Sequence, residues 1–205
     1  MILENFSETL LHAARSTSII EWIAIITALI YVVLAAKENV WCWIFGIVSA
    51  GIYIYLNYSI KLYLDAWLSL YYVLIGFYGW YAWIKGKTNK NSGSVLHQMR
   101  ISGLGISILV GIAGTLILGK LAHDHTDSPV PYFDAALTSF SLVATYLTTR
   151  KVLENWIFWI IIDAAYVVIY WLRELPSTSM LNLIYTFLAI YGFLKWRKTL
   201  KSFNA

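Results

Sequence analysis

Charge is scarce in this chain. Asp, Glu, Lys and Arg make up 13% of 205 residues, where a soluble domain carries roughly 25%. A water-facing surface cannot be assembled from so few charges. Cysteine is nearly absent as well: Cys42 stands alone, which excludes an intramolecular disulfide and a thiolate metal cluster. No GxxxxGK[ST] loop occurs. The nearest approach, GTLILGKL at 114–121, ends in Leu and begins inside an apolar block, so nothing points to ATP as a direct driver. A nucleophile elbow, HExxH and CxxC are all missing, and no catalytic constellation replaces them. An enzyme is not expected, nor a cofactor. His123-Asp124-His125 is the one conceivable metal pair, and a solvated polar loop explains it equally well. The start of the chain has neither a basic stretch nor a small-residue cleavage site, so it does not read as a signal peptide.

What the chain has in abundance is apolar residues, 60% of the total with mean hydropathy +0.66. They fall into seven blocks, roughly 18–36, 41–57, 63–84, 101–119, 132–149, 156–172 and 178–196. Several sit near the ~17-residue minimum for a membrane span. The expected fold is all-α: a polytopic membrane protein of seven transmembrane helices. Residues 1–17 read as an amphipathic helix lying in the interface. Of 15 basic residues, four (Arg15, Lys61, Lys120, Arg173) fall on one side of the bilayer and eleven on the other. The richer side is the cytoplasmic one, which puts the N-terminus outside and the C-terminus inside a bacterial inner membrane. The same distribution, in short loops and at the C-terminus, argues against nucleic-acid binding.

One stretch organises the rest. ENWIFWIIIDAAYVVIY at 154–170 is apolar enough for lipid yet carries Asp163 near its middle. Trp159, Asp163, Tyr166 and Tyr170 share one helical face. A charge at that depth costs at least ~2.5 kcal/mol unless it meets a polar cavity or a partner. The stretch is echoed earlier: Glu38-Asn39 then Trp43 matches Glu154-Asn155 then Trp159 at an offset of 116, and Tyr78-Gly79 with Trp83 matches Tyr191-Gly192 with Trp196 at 113. The second copy is therefore expected to have lost three residues in between. Two three-helix copies, 18–84 and 132–198, flank a linking region 85–131, and 199–205 is a tail. One linking helix leaves both copies the same way up, a 3+1+3 parallel repeat of the kind transporters use.

The stripe in block two, Trp43, Gly46, Ala50 and Tyr53, contains two small residues that let helices approach. The bulkier stripe of block six needs space or a guest, so the second half is expected to supply most of a site. Block three adds Ser69, Tyr72, Gly76 and Trp80, and block seven adds Asn182, Tyr185, Ala189 and Gly192. The candidate binding residues are Trp43, Ser69, Tyr72, Trp80, Asn155, Trp159, Asp163, Tyr166, Asn182 and Tyr185. Asn155, like Asn39, reads equally as a helix cap. Trp41, Trp83, Trp171 and Trp196 read as interface anchors. Glu21, Asp65, Asp134 and Glu174 would form a negative vestibule at the outer mouth. Aromatic faces attract a cation by ~0.5–2 kcal/mol each, so the guest is a flat, hydroxylated, cationic small molecule.

The stretches WCW (41–43), YGWYAW (78–83) and TRKVLENWIFWIIIDAAY (149–166) resemble the PnuC family of vitamin transporters. The likeness runs over essentially all seven helices. It implies a 3+1+3 fold similar to the SWEET carriers, a homotrimer, and facilitated diffusion of nicotinamide riboside that a separate kinase traps by phosphorylation. Asn155 and Asp163 match the family pattern. Cys42, Ser69 and Gly76 stand where Asn, Gln and Asn are common, so thiamine, another flat aromatic cation, stays open as the substrate. A membrane sensor or assembly factor without transport is the rival from another class.

Overall fold

A computed structural model of the chain describes residues 17–59, 63–88, 96–126, 129–173 and 175–203. Apart from residue 17, the amphipathic helix expected at 1–17 lies outside them. Seven helices follow: α1 (Ile19–Ala36), α2 (Cys42–Ser59), α3 (Tyr63–Thr88), α4 (Ile101–His125), α5 (Pro131–Thr149), α6 (Asn155–Leu172) and α7 (Pro176–Phe203). Each matches one apolar block. By length and composition α1, α2, α4, α6 and α7 can cross a membrane.

The other two reveal what hydropathy misses. Helix α3 is dense in Tyr and Trp, which bury well but score poorly. Helix α5 is shielded inside the bundle, with Ser139, Ser141, Thr145, Thr148 and Thr149 all buried. Their hydroxyls are internally satisfied: Ser141 donates to Leu137 O at 2.7 Å, Thr145 to Ser141 O at 2.7 Å and Thr148 to Ala144 O at 2.9 Å. A polar helix whose donors bond its own backbone needs no water.

Helix α2 packs on α1 and α3, and α6 on α5 and α7; the triplets then meet through α1 on α7 and α3 on α5. The linking helix α4 packs on α5. It does so through glycine: a Cβ at Gly111, Gly114 or Gly119 would collide with Phe140, Ser139 or Tyr132. Ser139 Oγ donates to Gly111 O at 2.9 Å across this contact.

The two triplets are related by one register throughout. Helix α1 ends in a Schellman turn in which Asn39 N–H reaches Leu34 O (2.9 Å) and Glu38 N–H reaches Ala35 O (2.9 Å). Helix α5 repeats it, Val152 N–H to Leu147 O (3.1 Å) and Lys151 N–H to Thr148 O (3.0 Å). The left-handed residues of these turns are Glu38 (φ 54°) and Lys151 (φ 53°), 113 positions apart. Trp43 then pairs with Trp156 and Cys42 with Asn155. The expected loss of three residues is thus corrected. Trp159 is not the counterpart of Trp43 but of Gly46. The Glu-Asn-x-x-x-Trp match at 116 is a chance echo one helical turn out of phase.

The same register builds the seam at the C-terminal ends of α1, α3, α5 and α7. Trp83 Nε1 donates to Thr148 O and Thr149 O, each at 3.2 Å, and Trp196 Nε1 donates to Ala35 O at 3.2 Å. Each triplet's third helix thus grips the end of the other triplet's first helix, so the triplets run in the same direction. Trp83 meets Trp43 edge-on at 5.5 Å, and Trp196 meets Trp156 edge-on at 5.3 Å. At 1% and 0% exposure, Trp83 and Trp196 are not the interface anchors expected of them. They are the core of the seam. Trp41 and Trp171, by contrast, are exposed.

Across the seam Lys151 Nζ lies 3.2 Å from Glu38 Oε2 and 4.7 Å from the Trp83 ring centre. A short strap just before α4 also docks here: His97 N–H bonds Lys151 O, Leu153 N–H bonds His97 O, and Met99 N–H bonds Glu154 Oε2 at 2.9 Å.

Candidate functional site

Between the triplets lies a cavity of about 340 Å³, at the small end of the ~300–1,000 Å³ range of ligand sites. Nine of the ten candidate residues line it: Trp43, Ser69, Tyr72, Asn155, Trp159, Asp163, Tyr166, Asn182 and Tyr185. Trp80 does not; it packs against the seam cluster. Tyr170 also falls outside the lining and stacks on Tyr166 at 5.6 Å.

The lining obeys the repeat. Val32 answers Thr145, Ala35 answers Thr148, Trp43 answers Trp156, Ala50 answers Asp163, and Tyr53 answers Tyr166. Ser69 answers Asn182, Tyr72 answers Tyr185, and Gly76 answers Ala189. The cavity therefore straddles the pseudo-two-fold axis between the halves. Its chemistry does not share that symmetry. At Val32/Thr145, Ala50/Asp163 and Ser69/Asn182 the larger or more polar member comes from the second triplet. Two tyrosine pairs are kept in both halves.

Asp163 is the only charged residue in the lining. It is 8% exposed and, among the described residues, no hydrogen bond or ion pair engages its carboxylate. A buried carboxylate without a partner costs several kcal/mol, and a cationic guest in the cavity would offset that. Asn182 spends one N–H of its amide on Thr178 O at 2.8 Å, which leaves the second N–H and the amide oxygen to offer.

Asn155 is held at both ends of its amide. Its Nδ2 donates to Val152 O, and its Oδ1 lies 3.0 Å from Thr148 Oγ1, whose one proton it shares with Ala144 O. It opens α6 without serving as the N-cap, which is Glu154. Asn39 accepts from Trp41 N–H at 3.0 Å in the turn that leads into α2.

Trp43 and Trp156 are each 3% exposed or less, and their indole edges press on α3 and α7 where only glycine fits, at Gly79 and Gly192. Among the described residues the two indole N–H groups have no acceptor, in both halves alike. Close approach of the helices has been favoured over that hydrogen bond.

One member of the expected vestibule needs correcting. Asp134 is paired with Arg173 at 3.3 Å, so it does not stand as free negative charge. The side chains of Asp65 and Glu174 lie outside the described residues. His123 lies against Tyr132, ring centres 6.4 Å apart, and no group of three or more His, Cys, Asp or Glu suited to a metal occurs among the described residues.

The lining residues that the sequence did not single out are Ala28, Tyr31, Val32, Ala35, Ser49, Thr145, Thr148 and Trp156. The signal that would have found Trp156 is the 113 register, once the echo at 116 is set aside.

The model of one protein family, described as nicotinamide mononucleotide transporter, matches residues 18–198. The chain belongs to this transporter family. Among curated members it is 26% identical to the nicotinamide riboside transporter PnuC of Escherichia coli K12, over 86% of this chain and 84% of that one. It is 25% identical to PnuC of Neisseria mucosa, over 87% and 72%. Similarity extends to the riboflavin/roseoflavin transporter RibM of Streptomyces davaonensis, 24% identical over 83% and 81%. The fold matches the crystal structure of the vitamin B3 transporter PnuC with TM-score 0.70 and 23% identity, covering 88% of this chain and 81% of that one. The chain is thus a multi-pass membrane transporter for a small vitamin molecule.

Proposed function

We propose that this family member carries nicotinamide riboside into the cell by facilitated diffusion. The two triplets rock about the cavity to expose it to each side in turn, and a separate cytoplasmic kinase traps the product. The observation that carries this reading is the unpaired Asp163 carboxylate in an aromatic cavity on the axis between the halves. A pyridinium ring supplies the missing positive charge and stacks on indole or phenol faces. A ribose supplies hydroxyls for Ser69, Asn182 and the tyrosines. The charge count favours a cytoplasmic C-terminus, which puts the seam and its basic residues inside. The family resemblance supports a homotrimer.

Thiamine is the second reading. It is also a flat cation, and Ser69 and Gly76 leave that wall less polar than riboside recognition suggests. Proteoliposomes offered radiolabelled riboside and thiamine separately distinguish the two. Riboside flux that equilibrates without an ion gradient is expected. Thiamine flux without riboside flux would transfer the reading to thiamine. Accumulation against a gradient would remove facilitated diffusion, and no flux of either would favour a sensor.

A further inference from the structure

The register of the repeat exposes an exchange of aromatic residues between the halves. At the lining position held by Gly46 in α2, the second half holds Trp159 in α6. On the neighbouring helix the reverse holds: α1 presents Tyr31, and α5 presents Ala144. The exchange is compensated sterically on both sides. A Cβ at Gly46 would come within 3.0 Å of the Tyr31 ring, so the tyrosine occupies the space that glycine vacates. Trp159 packs on the cluster containing Ala144, which is fully buried. Each half therefore supplies one half-buried ring at the same symmetry-related place, from α1 in one case and α6 in the other. A two-fold relation puts those places on opposite walls.

We propose that Tyr31 is a specificity-determining residue, the second wall of an aromatic slot whose first wall is Trp159, and that the planar ring of the guest lies between them. This rests on the vitamin-transport reading and deepens it. Because the walls come from different triplets, a ring held between them touches both moving halves. Because one wall is a phenol and the other an indole, with the acid on the indole side, the slot admits a flat cation in one orientation.

The test is transport by reconstituted full-length protein, with thermal midpoints measured in parallel. Tyr31→Phe keeps the ring and should leave KM for riboside or thiamine within about twofold. Tyr31→Ala removes it and should raise KM about tenfold. Tyr31→Leu fills similar volume without a ring and should behave like Tyr31→Ala, which separates stacking from packing should the alanine variant fold poorly. The double variant Tyr31→Ala/Gly46→Trp rebuilds the wall from α2, as the second half does from α6, and should recover most of the loss. A folded Tyr31→Leu with wild-type KM would overturn the proposal, as would a folded double variant no better than Tyr31→Ala. Wild-type protein that moves no planar vitamin would overturn the transport reading itself, a result distinct from active protein indifferent to Tyr31.

Discussion

Glycine is the usual occupant of the left-handed position that closes a helix, yet both equivalent turns here use a charged residue. Glu38 and Lys151 accept that strain, about 1–2 kcal/mol each, to meet across the seam at 3.2 Å. The Lys151 side chain is 9% exposed and the Glu38 side chain 25%, so the pair is shielded from salt better than a surface bridge. A charge-assisted hydrogen bond of this kind contributes about 1.5–3 kcal/mol. The cation over Trp83 adds about 0.5–2 kcal/mol. Lys151→Met removes both and keeps the strain. Lys151→Gly removes both and relieves it, so it should be the less damaging of the two by about 1 kcal/mol. The exchange Glu38→Lys/Lys151→Glu restores the pair and forfeits the cation–π contact. Thermal midpoints of purified protein should fall in the order wild type, exchange, Lys151→Gly, Lys151→Met. A double-mutant cycle with Glu38→Gln and Lys151→Met should give a coupling of about 1–3 kcal/mol. Additive single effects would refute the reasoning, because they would show that the halves are not joined through this pair.

Three further outcomes are expected. Asp163→Asn keeps the shape of the cavity and removes its charge, so affinity for a cationic vitamin should fall about 10–100-fold while an uncharged analogue loses far less; isothermal titration with both checks it. Gly79→Ala and Gly192→Ala drive a methyl group into Trp43 and Trp156, and each should cost about 1–3 kcal/mol, seen as a lower midpoint, with Gly51→Ala, which meets open space, as the neutral control. In a Cys42→Ser background, Glu38→Cys/Lys151→Cys joined by a short bifunctional thiol reagent should hold the seam shut and stop flux; undiminished flux after complete cross-linking would show that the halves do not part there.

Much of the architecture was legible because membranes impose it. Seven apolar blocks became seven helices, and the period of the stripes placed Trp159, Asp163, Tyr166, Asn182 and Tyr185 on one cavity. Two kinds of information were not in the pattern. Tryptophan near a helix end reads as an interfacial belt residue, but Trp83 and Trp196 are buried because their indole N–H groups reach carbonyls of the opposite triplet. No spacing within either helix records such a long-range bond. Tyr31 was invisible for a related reason. Its helix is apolar nearly all round, with no polar stripe to mark a face, and its importance comes from the glycine opposite it.

The register itself explains the remaining miss. Identical residues at 116 outvoted the structure at 113 because the repeat has been conserved in backbone geometry more than in side chains. Glu38 pairs by position with Lys151, Cys42 with Asn155 and Ala50 with Asp163, none of them alike. What is held constant is what the backbone needs: two Schellman turns, two tryptophans seated on glycine and two indole clasps. On the proposed rocking mechanism, these elements would keep the two bodies equivalent, so that the seam closes alike from either side. The lining, free of that requirement, has diverged until one half holds the acid and the other the small residues. A carrier made of two equal bodies with an unequal cavity can move symmetrically and still bind an asymmetric guest in a single pose.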